Sequence, residues 1–101
     1  YMRKAKISEG MQLMGAIKTG VSTFFAEEGT LPTVAEFASL DLKTAGKYVT
    51  NIVYAQADTN TLTATFENIT GELQYDWNDS DWECHNGTTA LDIKILPKVC
   101  Q

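Results

Sequence analysis

The sequence predicts an α+β domain, one long N-terminal helix packed on an antiparallel four-stranded sheet, on three observations. Residues 4–28 carry an apolar stripe of helical period. From Tyr48 onward the period of the apolar residues drops to two. Asn-, Asp- and Gly-rich turns then separate the short runs, too closely for a crossover connection, so that neighbouring strands run antiparallel. A sheet with one apolar face needs a cover, and the helix stripe supplies it.

At 100° per residue, Ile7, Met11, Leu13, Met14, Ile17, Val21, Phe24 and Phe25 share an arc of about 160°. Lys18 interrupts the arc, and its aliphatic stem can lie on the apolar surface with the ammonium in water. The opposite face, Gly15, Ala16, Thr19, Gly20, Ser22, Thr23 and Ala26, is small, which admits another backbone. Gly10, Gly15 and Gly20 each cost about 0.5–1 kcal/mol relative to alanine, so packing on both sides must hold this helix. Gly29 after Glu27 and Glu28 marks a left-handed cap, and Pro32 prevents resumption. The start is unlike a natural helix start. Arg3, Lys4 and Lys6 have the wrong sign for the positive end of the dipole, and no capping side chain precedes them. The chain begins with Tyr1, so an upstream part is expected to have been removed; a frayed basic terminus is the plainer reading.

The 101 residues make one domain with a single modest core. No apolar run of about eighteen residues marks a membrane span. The net charge of −5 argues against non-specific nucleic-acid binding. Thirteen threonines, mostly beyond residue 29, suit β-structure after the helix.

Residues Thr33–Leu42 fit a short helix: Thr33 with Glu36 three residues on forms a capping box, and Phe37 and Leu40 share a face. A packed loop crossing the small face of the long helix fits equally well. Lys43–Lys47 is a turn. Tyr48–Ala55 reads as the first strand, and a turn at Asp58–Asn60 leads into Thr61–Phe66, with Leu62, Ala64 and Phe66 on one face. A turn at Asn68–Gly71 leads to Glu72–Trp77, with Leu73, Tyr75 and Trp77 inward. Asn78–Asp81 turns the chain into a short fourth strand, Trp82–Cys84. In the irregular remainder, Leu91, Ile93 and Ile95 alternate, and Ile93 and Ile95 are expected to anchor the segment to the core.

Two cysteines, Cys84 and Cys100, close the chain. In an exported protein they would pair, closing a loop worth about 3 kcal/mol; in a cytosolic one they would stay as thiols. With one histidine they are too few for structural zinc. The disulfide, and an oxidising compartment, is the reading we favour.

Chemistry-bearing groups are sparse. Asp76, Asn78 and Ser80 resemble the start of an EF-hand loop, but Asp81 stands where that loop needs glycine and Gly87 where it needs glutamate. A solvated acidic turn is the simpler reading. His85 adjoins Cys84, but strand neighbours point to opposite faces, so they form no nucleophile pair. No Ser/His/Asp set, phosphate loop or nucleotide fingerprint appears. No catalytic, cofactor or metal residue is therefore assigned. Glycosylation sequons at Asn68, Asn78 and Asn86 matter only in a eukaryotic source. Trp77 and Trp82 could form a sugar platform, though packing at the sheet is the more ordinary role.

Several motifs carry a family likeness over the whole chain: Lys6-Ile7-Ser8-Glu9-Gly10 in the helix, Glu28-Gly29-Thr30-Leu31-Pro32 at its end, and Gly46-Lys47-Tyr48-Val49 at the first strand. The most specific is Trp82-x-Cys84 followed by Ile95-Leu96-Pro97-Lys98-Val99-Cys100-Gln101. With these the chain resembles a class a type IV pilin without its N-terminal hydrophobic helix. The likeness implies the C-terminal half of a spine helix at 1–28, an αβ connection at 29–47, an antiparallel sheet at 48–84 and a disulfide-bounded loop at 84–100. It implies a Cys84–Cys100 bond and an exposed loop, His85, Asn86, Gly87, Thr88 and Thr89, with a role in adhesion. The implied function is a structural subunit of a bacterial surface pilus supporting adhesion, twitching motility or DNA uptake. The alternative is a low-copy minor pilin or pseudopilin, as DNA-uptake receptor or in type II secretion. The implied partners are other pilin subunits, the inner-membrane assembly machinery through the missing helix, and a host or abiotic surface. Scattered lysines among thirteen acids speak against nucleic acid.

Overall fold

The computed structural model describes residues 2–56, 59–78 and 81–101. Tyr1, and parts of the turns expected at Asp58–Asn60 and Asn78–Asp81, lie outside them. The chain forms helix α1 (Met2–Glu28), helix α2 (Val34–Ser39), strands β1 (Val49–Ala55), β2 (Thr61–Phe66), β3 (Glu72–Trp77) and β4 (Trp82–Asn86), then one 3-10 turn at Lys98–Cys100. The four strands make one sheet in the order β1-β2-β3-β4, each neighbouring pair antiparallel. At about 1.5 Å per residue α1 is about 40 Å long, and the longest dimension of the molecule is 41 Å. Among the described residues no helix is long and apolar enough to cross a membrane.

The core lies between α1 and one face of the sheet. Ile7, Met14, Ile17 and Val21 are buried from the helix; Leu62, Ala64, Leu73 and Tyr75 are buried from β2 and β3. Each large aliphatic side chain so covered contributes about 1.5–3 kcal/mol. Phe25 meets Trp77 at a ring separation of 5.5 Å, and Lys18 holds its ammonium 4.7 Å from the centre of the Tyr75 ring. Gly10 lies in the middle of the apolar arc because Phe66 occupies the space: a Cβ there would stand 2.6 Å from the Phe66 ring.

On β1 the burial departs from strict alternation. Val49, Ile52 and Tyr54 are buried, whereas Thr50, Asn51 and Val53 face solvent. The register against β2 slips between Val49 and Asn51, and such a bulge turns the following side chains over by one position.

The connection from α1 to β1 follows its local signals. Gly29 has φ 80° and donates to the Phe25 carbonyl at 2.8 Å. The Thr33 hydroxyl accepts the Glu36 N–H while the Glu36 carboxylate accepts the Thr33 N–H, a complete capping box. Of the two readings of Thr33–Leu42, the helix forms over Val34–Ser39 only, and the chain beyond it crosses the small face of α1. A Cβ on Gly20 would stand 2.8 Å from Leu42. Phe37 is buried and stacks on Tyr54 at 4.7 Å, and the Tyr54 hydroxyl donates to the Pro32 carbonyl at 2.6 Å. Leu40 is only half-buried, so Phe37 alone anchors α2.

Candidate functional site

The sequence directs attention to the C-terminal loop, and the fold builds it from β4. Cys84 on that strand is bonded to Cys100, with the two Cα atoms 4.6 Å apart. The strand runs on through His85 and Asn86, so these two residues lie in the sheet, and the loop leaves it at Gly87. Adjacent to the bridge, Trp82 is buried and meets Trp77 edge-on at 5.4 Å. Both indoles thus belong to the packing at the top of the sheet.

The loop tip is tied to the start of β3. Gly87 donates to the Glu72 carbonyl at 3.0 Å, and Glu72 donates to the Thr89 carbonyl at 2.9 Å. The Glu72 carboxylate also accepts the Thr89 N–H at 3.3 Å, and the Asn86 side-chain oxygen accepts the Leu91 N–H at 2.9 Å. Thr89 takes part through its backbone alone, and the side chains of Thr88, Thr89 and Ala90 are exposed. The arrangement fixes the path of the chain without fixing the identity of the tip side chains.

Beyond the tip, Leu91, Ile95 and Leu96 are buried, but Ile93 is 68% exposed. The expectation that Ile93 anchors the segment is thereby corrected. The Asp92 carbonyl accepts the N–H groups of Ile95 and Leu96, and the Asp92 side chain accepts that of Lys94. This turn has helical spacing. It puts positions 91, 95 and 96 inward and swings 93 out, whereas the sequence reading applied a period of two.

His85 stands half-exposed on the outer face of the sheet. Its Nε2 lies 2.5 Å from a carboxylate oxygen of Asp76, and its Nδ1 faces the Asn86 carbonyl. Its pKa is raised above 6.5, first by the hydrogen bond to Asp76, against which partial burial works, and further by the Asn86 carbonyl and by Glu83. Cys84 is engaged in the disulfide, so these neighbours form no nucleophile pair.

The acidic turn is organised by its own hydrogen bonds. Asn78 accepts the Asp81 N–H at 2.8 Å and donates to Glu83 at 2.8 Å, while Asp76 is engaged by His85 and Gln74. Ser80, which the calcium reading requires, lies outside the described residues, as does Asp79. Among the described residues no group of three or more His, Cys, Asp or Glu is placed to hold a metal.

One residue was passed over in the sequence. Glu9 lies about 40° outside the apolar arc of α1, and its carboxylate accepts three consecutive backbone N–H groups, from Lys47, Tyr48 and Val49, at 3.1, 2.7 and 2.9 Å. Its available signal was a carboxylate bordering the core stripe with no basic residue three or four positions after it.

The comparisons with known proteins accord with this architecture. The sequence pattern of the pilin family, proteins of bacterial filaments, matches residues 3–101. The chain is 30% identical to a fimbrial protein, EcpC, of Eikenella corrodens over 113 aligned residues, covering 100% of this chain and 72% of that protein. No solved structure matches it. The helix-on-sheet fold, the disulfide-closed C-terminal segment and these two likenesses agree: the chain belongs to the type IV pilin family of bacterial filament proteins.

Proposed function

We propose that the protein is a repeating subunit of a retractable type IV pilus of class a, in which residues His85–Thr89 and the tip beyond them face outward and make contact with surfaces. One observation carries the reading: the tip is held at both ends, by the Cys84–Cys100 bond and by backbone bonds to Glu72, while Thr88 and Thr89 expose their side chains. Such a loop can present varied chemistry without unfolding the sheet. The spine helix would extend upstream into the inner membrane before assembly, where the pilus machinery would take it up, and the finished filament would serve adhesion, twitching motility or DNA uptake.

The test uses whole bacteria carrying Thr88→Ala and Thr89→Ala in the complete gene. Pili should remain normal in number by electron microscopy, and attachment to host cells or abiotic surfaces should fall. Unchanged attachment to each surface would remove the loop from adhesion. Absence of this chain from purified wild-type pili, by mass spectrometry, would instead favour the low-copy minor pilin or pseudopilin.

A further inference from the structure

The basic residues are scattered in the sequence and gathered in the fold. Lys4, Lys94 and Lys98 line a groove of about 360 Å³ where the C-terminal segment meets the first turns of α1, beside Ile7 and Ile95. Arg3 stands at the same end, 3.9 Å from Asp92. Lys6 donates to the Glu67 carbonyl at 3.1 Å, and Lys6 and Lys47 hold their ammonium groups 5.6 and 5.2 Å from the centre of the Tyr48 ring. Lys43 lies close enough to Glu9 to help lower that carboxyl's pKa. Of the eight basic residues seven thus surround residues 3–9 of α1, and Lys18, over Tyr75, stands apart. Acidic groups at this end are fewer. Asp92 faces Arg3, Glu9 accepts three backbone N–H groups, Glu72 accepts the Thr89 N–H, and Glu67 adjoins Lys6. Seven cations against these four carboxylates leave a positive end on a chain whose net charge is −5. The opposite end of α1 carries Glu27 and Glu28, and the contact of Phe25 with Trp77 brings Asp76, Asp81 and Glu83 to it. Ile93 and Val99, the sequence neighbours of Lys94 and Lys98, are 68% and 71% exposed.

We propose that this end of the domain seats on an anionic phospholipid bilayer before assembly, with its lysines on the phosphates and Ile93 and Val99 in the interface. Cations interspersed with exposed aliphatics bind a bilayer surface by two additive effects, attraction to anionic headgroups and burial of apolar area. The inference rests on the pilus-subunit reading, in which the spine helix continues upstream from this end into the inner membrane. Such a span holds the end against the headgroups, so that contacts too weak to recruit a free protein suffice. The cations also stand on both sides of α1. Lys6, Lys43 and Lys47 lie toward the β1 edge of the sheet, and Lys94 and Lys98 lie beside the Cys100 bridge to β4, at the other edge. Contacts on both sides hold the spine upright on the membrane, where a one-sided patch would tip it.

The test reconstitutes the full-length chain into vesicles of phosphatidylcholine alone, or of equal parts phosphatidylcholine and phosphatidylglycerol. A fluorophore is placed on Ile93→Cys, or on Thr30→Cys at the opposite end of α1, and lipid with a spin-labelled headgroup quenches it. Phosphatidylglycerol should increase the quenching of the Ile93→Cys label, and should leave that of the Thr30→Cys label unchanged. Adding Lys94→Glu and Lys98→Glu should lower the ratio of seated to free domains by about thirtyfold, about fivefold for each lysine. Salt at about 1 M, which needs no variant, should reverse the increase as well. Circular dichroism showing the wild-type melting curve for the lysine variant separates lost contact from lost fold. Equal quenching of the Ile93→Cys label in the two lipids overturns the proposal and leaves the subunit reading standing. So does an increase that the folded lysine variant retains in full. Quenching that appears only in crowded vesicles assigns the surface to contact between copies. Retardation of duplex DNA through Lys94 and Lys98, with no response to lipid, assigns it to nucleic acid, and either result overturns the seating. A full-length chain that floats with neither kind of vesicle defeats the upstream helix, and the subunit reading with it.

Discussion

The carboxylate of Glu9 lies 2.7 Å from the backbone nitrogen of Tyr48, thirty-nine residues further along the chain. With the Val49 and Lys47 N–H groups added, Glu9 fastens the spine helix to the entrance of β1. The Tyr48 N–H is the foremost influence holding its pKa below 4.5; partial burial opposes this, and the Val49 and Lys47 N–H groups and the Lys43 charge reinforce it. A depressed carboxylate stabilises the fold fully above its unfolded pKa and loses that contribution as pH falls through the folded value. Urea denaturation from pH 7 to pH 3 should show wild-type stability falling below about pH 4.5, in the window that the cited direction defines. Glu9→Gln should be less stable at pH 7 and lose less on acidification. Equal acid sensitivity in both proteins would show that Glu9 contributes nothing through its charge.

Two glycines on α1 should respond to alanine with opposite sign. A Cβ on Gly15 meets nothing within 4 Å, so Gly15→Ala should stabilise the isolated domain by about 0.5–1 kcal/mol. A Cβ on Gly10 meets the buried Phe66 ring at 2.6 Å. Gly10→Ala must displace that ring, and the overpacking should outweigh the gain in helix propensity, a net loss of about 1 kcal/mol or more. Thermal unfolding of the two variants checks the pair, and a shift of the same sign in both would refute the packing argument.

His85 and Asp76 form a pH-dependent link on the outer face of the sheet. The histidine pKa is raised, first by the Asp76 hydrogen bond, so its contribution is complete below 6.5 and is lost as pH rises through the folded value. Proton NMR titration of the single histidine should place its midpoint above 6.5, and Asp76→Asn should move it down. A midpoint unmoved by Asp76→Asn would assign the shift to other groups.

Ile95 and Ile93, two residues apart, should differ widely. Ile95 is 7% exposed and Ile93 68% exposed. Ile95→Ala should cost about 2–4 kcal/mol in chemical denaturation, and Ile93→Ala should stay within about 0.5 kcal/mol. Thr89→Ala should resemble the latter, because the backbone of Thr89 makes the bonds to Glu72. Comparable losses at Ile93 and Ile95 would mean that the turn at Asp92 does not form as described.

The sequence by itself determined the features that are local. Helical period placed Ile7, Met14, Ile17 and Val21 on the buried side of α1; alternation placed Leu62, Ala64 and Phe66 inward on β2; Gly29 and the Thr33–Glu36 box set the ends of the two helices. Each depends on residues within one or two turns of each other, so the pattern is written in consecutive positions. Tertiary structure decided the rest. The β1 bulge, which sends Val53 outward, is a property of the pairing with β2 and leaves no trace in the alternation of β1 itself. The exposure of Ile93 follows from the turn around Asp92, where helical spacing replaces the period of two. Glu9 acquired its role from three backbone N–H groups that come to it only when the connection folds back along α1. A one-dimensional pattern records which side of its own element a residue occupies; which distant groups share that side is fixed only when the elements pack.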